Sequence, residues 1–408
     1  MKFNKSSQLL LVSALSVMVA SLMTACSTLT VDFVYVTSAK AAGPSNYGEV
    51  DVFEVNSESG FMRQIRTSPF PSGGRNPVAE AVSPDQADLY VVNRDDNSIV
   101  QFIIGNDGKL YPQNTVNTPG VFPVAVAVSG ANLFVADTFQ PLPTCTTSAP
   151  CSGSIAVFPI LTAAQAKALT PSQPADTLGS AVANTAISTN YWPLNLPGKP
   201  ANVLVPTAIN VLGAYVYVTA YDATAGGGYV FGFTTNADGS LAALNNGAPF
   251  AAGIHPSAIA AESSGGFVYV TDAGSSSVLG YQVNSGLLAP LSGSPYKSGS
   301  LPSAIVIDAT GKFAYVANSQ DSNVTAYSIN GGNLVSVGTF ATGLQPSAIG
   351  IDPSKNQYVY TANFLGGNVS GFQLNATDGS LLNSQNSPYG ANAQPTAVAA
   401  ITHGSVAK

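Results

Sequence analysis

A short motif, Pro followed by one residue and then Ala, constrains the fold more than any other feature of the chain. Its seven copies begin at Pro77, Pro123, Pro206, Pro256, Pro302, Pro346 and Pro395. The intervals between successive copies are 46, 83, 50, 46, 44 and 49 residues. Short apolar runs separated by Gly, Ser and Asn follow each of the first six copies. A β-pattern that repeats every 40–50 residues or so is typical of the four-stranded blades of a β-propeller.

One repeat shows how a blade is built. Strands A to D are predicted at residues 257–261, 267–271, 278–283 and 287–291. Several other repeats place Asp-Gly between strands C and D, and this dipeptide favours a tight hairpin. Strands A and B are apolar at successive positions, as expected where neighbouring blades cover both faces of a sheet.

The two ends of the chain complete the ring. Residues 33–37 have the pattern of a strand B that lacks its own strand A, and residues 395–400 form a strand A with no blade after it. Pairing these segments gives seven blades from seven motifs and removes two open sheet edges. We therefore predict an all-β fold, a single seven-bladed β-propeller over residues 27–408 closed by its N- and C-terminal segments.

The interval of 83 residues predicts an insertion in the third blade, at about residues 161–205. Within it, residues 161–169 have the composition of a short helix, with Thr162 as N-cap and Gln165 as its capping-box partner. Trp192, the only Trp of the chain, follows. It either anchors the insertion on the propeller surface or contacts a ligand or partner.

The first 26 residues resemble a bacterial lipoprotein signal peptide. A lysine-containing start precedes an uncharged apolar run, and Leu-Met-Thr-Ala then leads into Cys26 as in a lipobox. An ordinary signal peptide with an unmodified cysteine is the alternative. The other two cysteines, Cys145 and Cys151, are six positions apart and predict a disulfide in an oxidising compartment. A pair of metal ligands is the alternative, but neither His nor further Cys lies nearby in sequence.

Composition limits the partners. Only 9% of the residues are charged, the net charge is −7, and the basic residues are scattered. Nucleic acid is excluded as a partner because phosphate binding requires clustered Lys and Arg. With two His in the chain, we predict neither a metal site nor a cofactor. We expect a monomer attached through its lipid to a membrane of the bacterial cell envelope, in the periplasm or on the outer membrane.

The strand B segments carry a resemblance to a known family. They read YVVN, YVTD, YVAN and YTAN at residues 90–93, 269–272, 315–318 and 360–363. Over about residues 30–404 the chain resembles the YVTN-type β-propellers and the related 6-phosphogluconolactonase-like (lactonase) propellers. The lactonase branch typically carries Arg and His directly after the blade's Pro. Here those positions hold Val, Thr or Ser and then Ala in all seven copies, so the family's catalytic candidates are absent from them.

Polar residues of one set of loops form the candidate ligand face of the propeller. The set comprises Arg75, Arg94, Asp137, His255 and Asp272, together with Trp192 of the insertion. Asp and Asn at such positions also cap strand ends through local hydrogen bonds, which is the alternative for the acidic members. For His255 the alternative is a loop residue with local hydrogen bonds.

Glu80 stands where the other repeats have Val or Ile. A carboxylate in an apolar stripe needs a partner, or its pKa rises. Arg75 and Arg94 are the partners predicted for a structural ion pair. A local register shift that turns Glu80 to the channel is a second possibility, and a channel carboxylate for ligand binding or general-base chemistry is a third.

Two functions remain. The sequence favours a lipid-anchored, extracytoplasmic propeller that binds a polar ligand or an envelope protein, with no committed catalytic residue. The alternative is a sugar-lactone hydrolase resembling 6-phosphogluconolactonase, with Glu80 as the candidate catalytic residue.

Overall fold

The computed structural model describes residues 30–39, 47–141, 145, 151–353, 357–391 and 394–403. These residues form seven antiparallel sheets, which we number as blades 1 to 7 from the N-terminus. Cys26, with the predicted signal peptide and lipid anchor, lies outside the described residues. Within the described part of the chain, no helix is sufficiently long and apolar to cross a bilayer.

Blades 1 to 3 follow one another along the chain. The strands of blade 1 are β1 (Thr30–Ala39), β2 (Tyr47–Asn56), β3 (Met62–Gln64) and β4 (Phe70–Arg75). Those of blade 2 are β5 (Pro77–Val82), β6 (Asp88–Asn93), β7 (Ser98–Ile104) and β8 (Leu110–Asn117). Those of blade 3 are β9 (Val121–Ser129), β10 (Asn132–Phe139), β11 (Ser154–Pro159) and β12 (Trp192–Pro193).

Blades 4 to 7 repeat the arrangement. Blade 4 has β13 (Leu204–Leu212), β14 (Tyr215–Asp222), β15 (Gly228–Thr235), β16 (Leu241–Ala243) and β17 (Phe250–Ala251). Blade 5 has β18 (Pro256–Ala261), β19 (Phe267–Asp272), β20 (Ser277–Asn284), β21 (Leu287–Pro290) and β22 (Tyr296–Lys297). Blade 6 has β23 (Pro302–Ile307), β24 (Phe313–Asn318), β25 (Asn323–Asn330) and β26 (Asn333–Ala341). Blade 7 has β27 (Pro346–Ile351), β28 (Tyr358–Asn363), β29 (Asn368–Leu374), β30 (Leu381–Asn383) and β31 (Tyr389–Gly390).

The last strand, β32 (Gln394–Thr402), closes the ring. It pairs antiparallel with β1, placing Val34 opposite Ala400 and Val36 opposite Val398, and so becomes the inner strand of blade 1. The seven inner strands, β5, β9, β13, β18, β23, β27 and β32, contact each other successively in a closed circle. The prediction of a seven-bladed propeller latched by its two ends is therefore confirmed.

The core is divided into apolar layers between adjacent blades, because each sheet is covered on both faces. Strand β19 illustrates this: Val268 and Val270 pack towards blade 4, whereas Tyr269 on the opposite face packs towards blade 6. The hydroxyl of Tyr269 donates to the carbonyl of Gly332 in the next blade, at 2.8 Å. Tyr35, Tyr217 and Tyr315 make the same bond to Gly108, Gly286 and Gly379. The Tyr of strand B is thus a link between blades.

A second set of links joins the inner strands. The residue after the motif Pro donates its side-chain hydroxyl to the Pro carbonyl of the next inner strand around the ring. The four such bonds run from Ser257 to Pro302, Ser303 to Pro346, Ser347 to Pro395 and Thr396 to Pro77, at 2.6–2.9 Å. At four of the seven positions that follow the motif Pro, the chain therefore has hydroxyls that link neighbouring blades.

The insertion lies between β11 and β12, over residues 160–191. Its helix, α1 (Ala163–Ala168), has the predicted capping box, in which Thr162 accepts from the Gln165 backbone and Gln165 from the Thr162 backbone. Residues 194–203, which were predicted as part of the insertion, connect β12 to β13. Trp192 of β12 is 7% exposed and packs between blades 3 and 4, so it anchors the insertion and does not lie on the ligand face.

Candidate functional site

The loops that precede the motif Pro and those that follow strand B lie on one face, which we call the mouth. Backbone bonds join them blade by blade: the N–H groups of Arg94, Ala273, Ser319 and Phe364 donate to the carbonyls of Asn76, His255, Leu301 and Gln345, at 2.9–3.0 Å. The disulfide Cys145–Cys151 lies in the corresponding loop of blade 3, and its prediction is confirmed.

The acidic and amide residues at the ends of strand B are buried and cap the adjoining turns. Asp272 accepts hydrogen bonds from the backbone N–H groups of Ile254, His255 and Gly274, at 2.9, 2.7 and 3.0 Å. Asn318, at the same place in blade 6, bonds to side chains instead: it accepts from Ser298 and donates to Asn323 and Thr325. These contacts give Asp272 the local capping role rather than a free carboxylate at the mouth.

Asp137 occupies the same place in blade 3 but is poorly bonded. It is fully buried, and neither carboxylate oxygen has a hydrogen bond of good geometry among the described residues. Burial raises the pKa of Asp137 to about 7, and the nearby Thr118 hydroxyl and Gly120 N–H offset only part of this effect. Because the Asp137 side chain is fully buried, its carboxylate does not contact a ligand at the mouth.

The two arginines are held differently. Arg75 forms an ion pair with Asp96, in which its Nη2 and Nε both contact Oδ1, at 2.5 and 2.6 Å. Arg94 has its guanidinium carbon 5.0 Å from the centroid of the Phe122 ring, and no described carboxylate lies within ion-pair distance. Phe122 itself has φ of 58° and is fixed by a 2.7 Å bond from its N–H to Asn97 Oδ1. The Phe122 ring therefore orients the Arg94 guanidinium, which can donate hydrogen bonds to an anionic group.

His255 is exposed at the mouth and stacks on Tyr221, with 4.1 Å between ring centroids and 26° between planes. The other His of the chain, His403, follows β32 at the opposite end of the propeller, where it contacts Phe33 at 5.4 Å. His255 is thus the single imidazole of the mouth. Because a neutral imidazole nitrogen can accept a proton from water, His255 is the group there best suited to general-base chemistry.

Glu80 is neither paired with an arginine nor shifted in register. It remains opposite Val91 on β6, and its side chain faces blade 1, where Thr37 donates to Oε2. The Ala399 N–H also approaches the carboxylate, but Oε1 has no partner among the described residues. Burial raises the pKa of Glu80 to about 8, against these weaker opposing bonds. The predicted ion pair with Arg75 or Arg94 was wrong, because Asp96 and Phe122 hold those side chains.

Sequence reasoning missed the aromatic members of the site. Phe122, which precedes the motif Pro of blade 3, meets Phe139 edge-on at 6.2 Å, and Tyr221 supports His255. Together with Arg94 and His255, these residues follow one another around the mouth over blades 2 to 5, and we call them the mouth arc. Their positions in the sequence could have identified them, because each lies beside the motif Pro or at the end of strand B. The Asp and Asn residues at equivalent positions were chosen as candidates instead.

The family model of the seven-bladed β-propeller lactonases matches residues 47–140, 216–334 and 288–399, more than half of the chain. The chain belongs to this lactonase family. Its matched regions include the blades that carry the mouth arc. They leave out residues 141–215, which contain the disulfide loop and the insertion of blade 3.

Solved structures agree on the fold of this lactonase-family propeller. A 6-phosphogluconolactonase described as putative, from Bacteroides fragilis, is 18% identical, with a TM-score of 0.69 over 91% of this chain and 98% of that one. A periplasmic gluconolactonase from Pseudomonas aeruginosa is 19% identical, with a TM-score of 0.63 over 90% and 98%. At these identities the likeness establishes architecture alone. Among curated proteins, no sequence matches the chain.

Proposed function

We propose that this lactonase-family propeller hydrolyses a lactone at its mouth, with His255 as the general base. The observation that carries the proposal is an exposed imidazole, oriented by Tyr221, on the loop face of a chain that belongs to the lactonase family. The comparisons thus support the hydrolase alternative of the sequence analysis better than a non-catalytic binding module.

In the proposed reaction His255 accepts a proton from water as the water oxygen attacks the lactone carbonyl carbon. The tetrahedral intermediate then collapses with cleavage of the bond between that carbon and the ring oxygen. The ring oxygen takes up a proton, and the product is the open-chain hydroxy acid. One water is consumed, and no redox step or cofactor is needed for this balance.

Arg94 supplies the positive charge of the mouth arc. A guanidinium without a carboxylate partner can bind the phosphate or carboxylate of a substituted sugar lactone through two parallel bonds. Phe122 and Phe139 offer apolar ring surface beside it. This arrangement supports a sugar lactone with an anionic substituent over an uncharged one.

The same chain departs from its family at the positions after the motif Pro, and this departure supports a second candidate. The family Arg is replaced by residues such as Ser303 and Ser347, which link neighbouring blades, and the family His is replaced by Ala. A propeller that keeps the mouth but has lost turnover would be a ligand-binding module of the cell envelope.

We also propose that the protein acts outside the cytoplasm, attached through Cys26. The disulfide Cys145–Cys151 supports this because such bonds persist in oxidising compartments. Metabolic labelling with a radioactive fatty acid tests the anchor: we expect label in the wild type and none in Cys26→Ser. Equal labelling of the two proteins, or none in either, would contradict it.

The hydrolase proposal is tested with purified residues 27–408 and a panel of glucono-1,5-lactone, its 6-phosphate and galactono-1,4-lactone, followed by acid release. We expect turnover, a fall of about a hundredfold or more in kcat/KM for His255→Ala, and no change for the matched control His403→Ala. Arg94→Ala should raise KM for the phosphorylated lactone more than for the neutral ones. A folded wild type that binds lactone without turnover would favour the binding module instead.

A further inference from the structure

A groove on the flank of the propeller, lined by none of the mouth-arc residues, is defined here as the lateral groove. One wall is β8 of blade 2, with Asn114, Val116 and Asn117, and the other is the insertion of blade 3, with Leu169, Gln173 and Asn190. Its volume of about 440 Å³ falls within the range of small-ligand sites. Nothing in the proposed lactone chemistry uses it.

The insertion wall of the groove is hydrogen-bonded to blade 2. The Gln101 side chain donates to the carbonyl of Asp176 at 2.7 Å and accepts from the N–H of Leu178 at 3.0 Å. The Asn114 amide donates to the carbonyl of Leu178, also at 3.0 Å. These bonds fix the spacing of the two walls. Binding of a ligand would therefore not include the entropy cost of ordering them.

The hydrogen-bonding groups that the groove presents are neutral. The exposed amides of Asn117, Gln173 and Asn190 bond to no other described residue, and the described lining contains no charged side chain. Each amide offers two donors and an acceptor side by side, which suits the adjacent hydroxyls of a sugar. Val116 and Leu169, the latter 45% exposed, add apolar surface for the C–H faces of a sugar ring.

The groove is a feature of this chain beyond its family match. The match ends at residue 140 and resumes at residue 216, so the insertion wall lies wholly in the unmatched segment. The insertion is fixed against blade 2, and the two walls leave three side-chain amides without a bond to another described residue. We propose that the lateral groove binds a neutral saccharide, separately from the mouth.

A charged glycan or a peptide fits the groove less well. An anionic ligand would find no Lys or Arg among the lining residues. An extended peptide added to a strand edge bonds mainly to backbone groups, whereas the unbonded groups described above are side-chain amides. The neutral saccharide is the occupant that uses both the amides and the small apolar surface.

The test is calorimetric titration of residues 27–408 with cellohexaose, maltohexaose, xylohexaose and mannohexaose, each up to about 10 mM, which detects even millimolar affinity. We expect at least one of them to bind, with little dependence on salt because the ligand is uncharged. The variant Asn117→Ala/Gln173→Ala should weaken that binding at least about tenfold. Gln282→Ala, an exposed amide on the flank of blade 5, is the matched control and should have no effect.

The proposal would be overturned by no binding of any of the four sugars, or by binding that the double variant leaves unchanged. Binding of polygalacturonate in place of the neutral sugars would also overturn it. His255→Ala separates this site from the mouth, since we expect it to abolish lactone turnover and to leave saccharide affinity as it is. Failure of the groove proposal therefore leaves the lactone proposal standing, and the reverse also holds.

Discussion

Thr37 donates a hydrogen bond to Oε2 of Glu80, and this bond joins the inner strand of blade 2 to blade 1, where the ring closes. In the other six blades the position of Glu80 is held by Val or Ile that packs between blades, for example Ile259 and Ile305. At the contact between blades 1 and 2, the Glu80 carboxyl therefore makes a polar contact where the other blades have an apolar one. Its protonation state should matter to stability.

We predict that Glu80 makes the protein less stable as the pH rises from about 4.5 to about 8. The carboxyl loses its proton near pH 4.5 when unfolded, whereas burial raises its folded pKa to about 8. Between these values the folded state binds the extra proton, so stability is greatest below pH 4.5 and declines up to pH 8. The free energy of unfolding should fall by a few kcal/mol across the window.

Thermal melts of the wild type and Glu80→Gln at pH 4, 6 and 8 measure this effect. Gln keeps the shape but cannot ionise, so its melting temperature should decline less with pH. Glu58→Gln, at an exposed glutamate, is the control and should follow the wild type. Parallel curves for wild type and Glu80→Gln would show that Glu80 is already ionised in the folded protein.

Asp137 and Asp272 should respond in opposite directions to replacement by Asn. Asp137 is buried without a good hydrogen bond, and its pKa is raised to about 7, so Asp137→Asn should stabilise the protein at pH 8 by about 1–3 kcal/mol. Blades 2, 6 and 7 already have Asn there, as Asn93, Asn318 and Asn363. The gain should vanish only at a pH well below 3.8, where the carboxyl is protonated in both folded and unfolded states.

Asp272→Asn is the matched comparison, since its carboxylate accepts three backbone N–H bonds and the variant loses at least one of them. Urea unfolding at pH 8 should show a loss of about 1–2 kcal/mol. Stabilisation by both substitutions would contradict the assignment of Asp272 as a cap.

Each hydroxyl bond between neighbouring inner strands should make a measurable contribution to the free energy of unfolding. Ser303 donates to Pro346 of the next blade at 2.7 Å, so Ser303→Ala should lower the free energy of unfolding by about 1 kcal/mol. Ser336→Ala, an exposed serine on β26, should change it by less than about 0.5 kcal/mol. Denaturant titration distinguishes the two, and equal effects would mean that the ring bond does not contribute.

The repeat and the closure were predictable from sequence because they depend on periodic local signals, namely the motif Pro, the apolar runs and the turn dipeptides. Thr162 and Gln165 were predictable for the same reason, since a capping box is local. The partner of Glu80 was not, because Thr37 lies 43 residues away and Arg75 and Arg94 are held by Asp96 and Phe122. Such contacts depend on the geometry between blades rather than on spacing.

The structural role of the Tyr in strand B could not be predicted for the same reason. Its recurrence marks the family, but its hydroxyl bonds to a turn Gly that belongs to the next blade, as Tyr269 does to Gly332. In blade 3 the insertion replaces that turn, and the Tyr90 hydroxyl of blade 2 is left buried with no hydrogen-bond partner among the described residues.

This difference yields a prediction from one substitution made at two equivalent places. Tyr269→Phe removes a hydrogen bond and leaves the Gly332 carbonyl without a donor, so it should cost about 1–2 kcal/mol. Tyr90→Phe removes a buried hydroxyl that has no partner in the described part of the chain, so it should be neutral or stabilising. Urea unfolding of both variants checks this. A Tyr90→Phe that is as destabilised as Tyr269→Phe would show that a bound water satisfies the Tyr90 hydroxyl, and the insertion would then compensate for the turn it replaces.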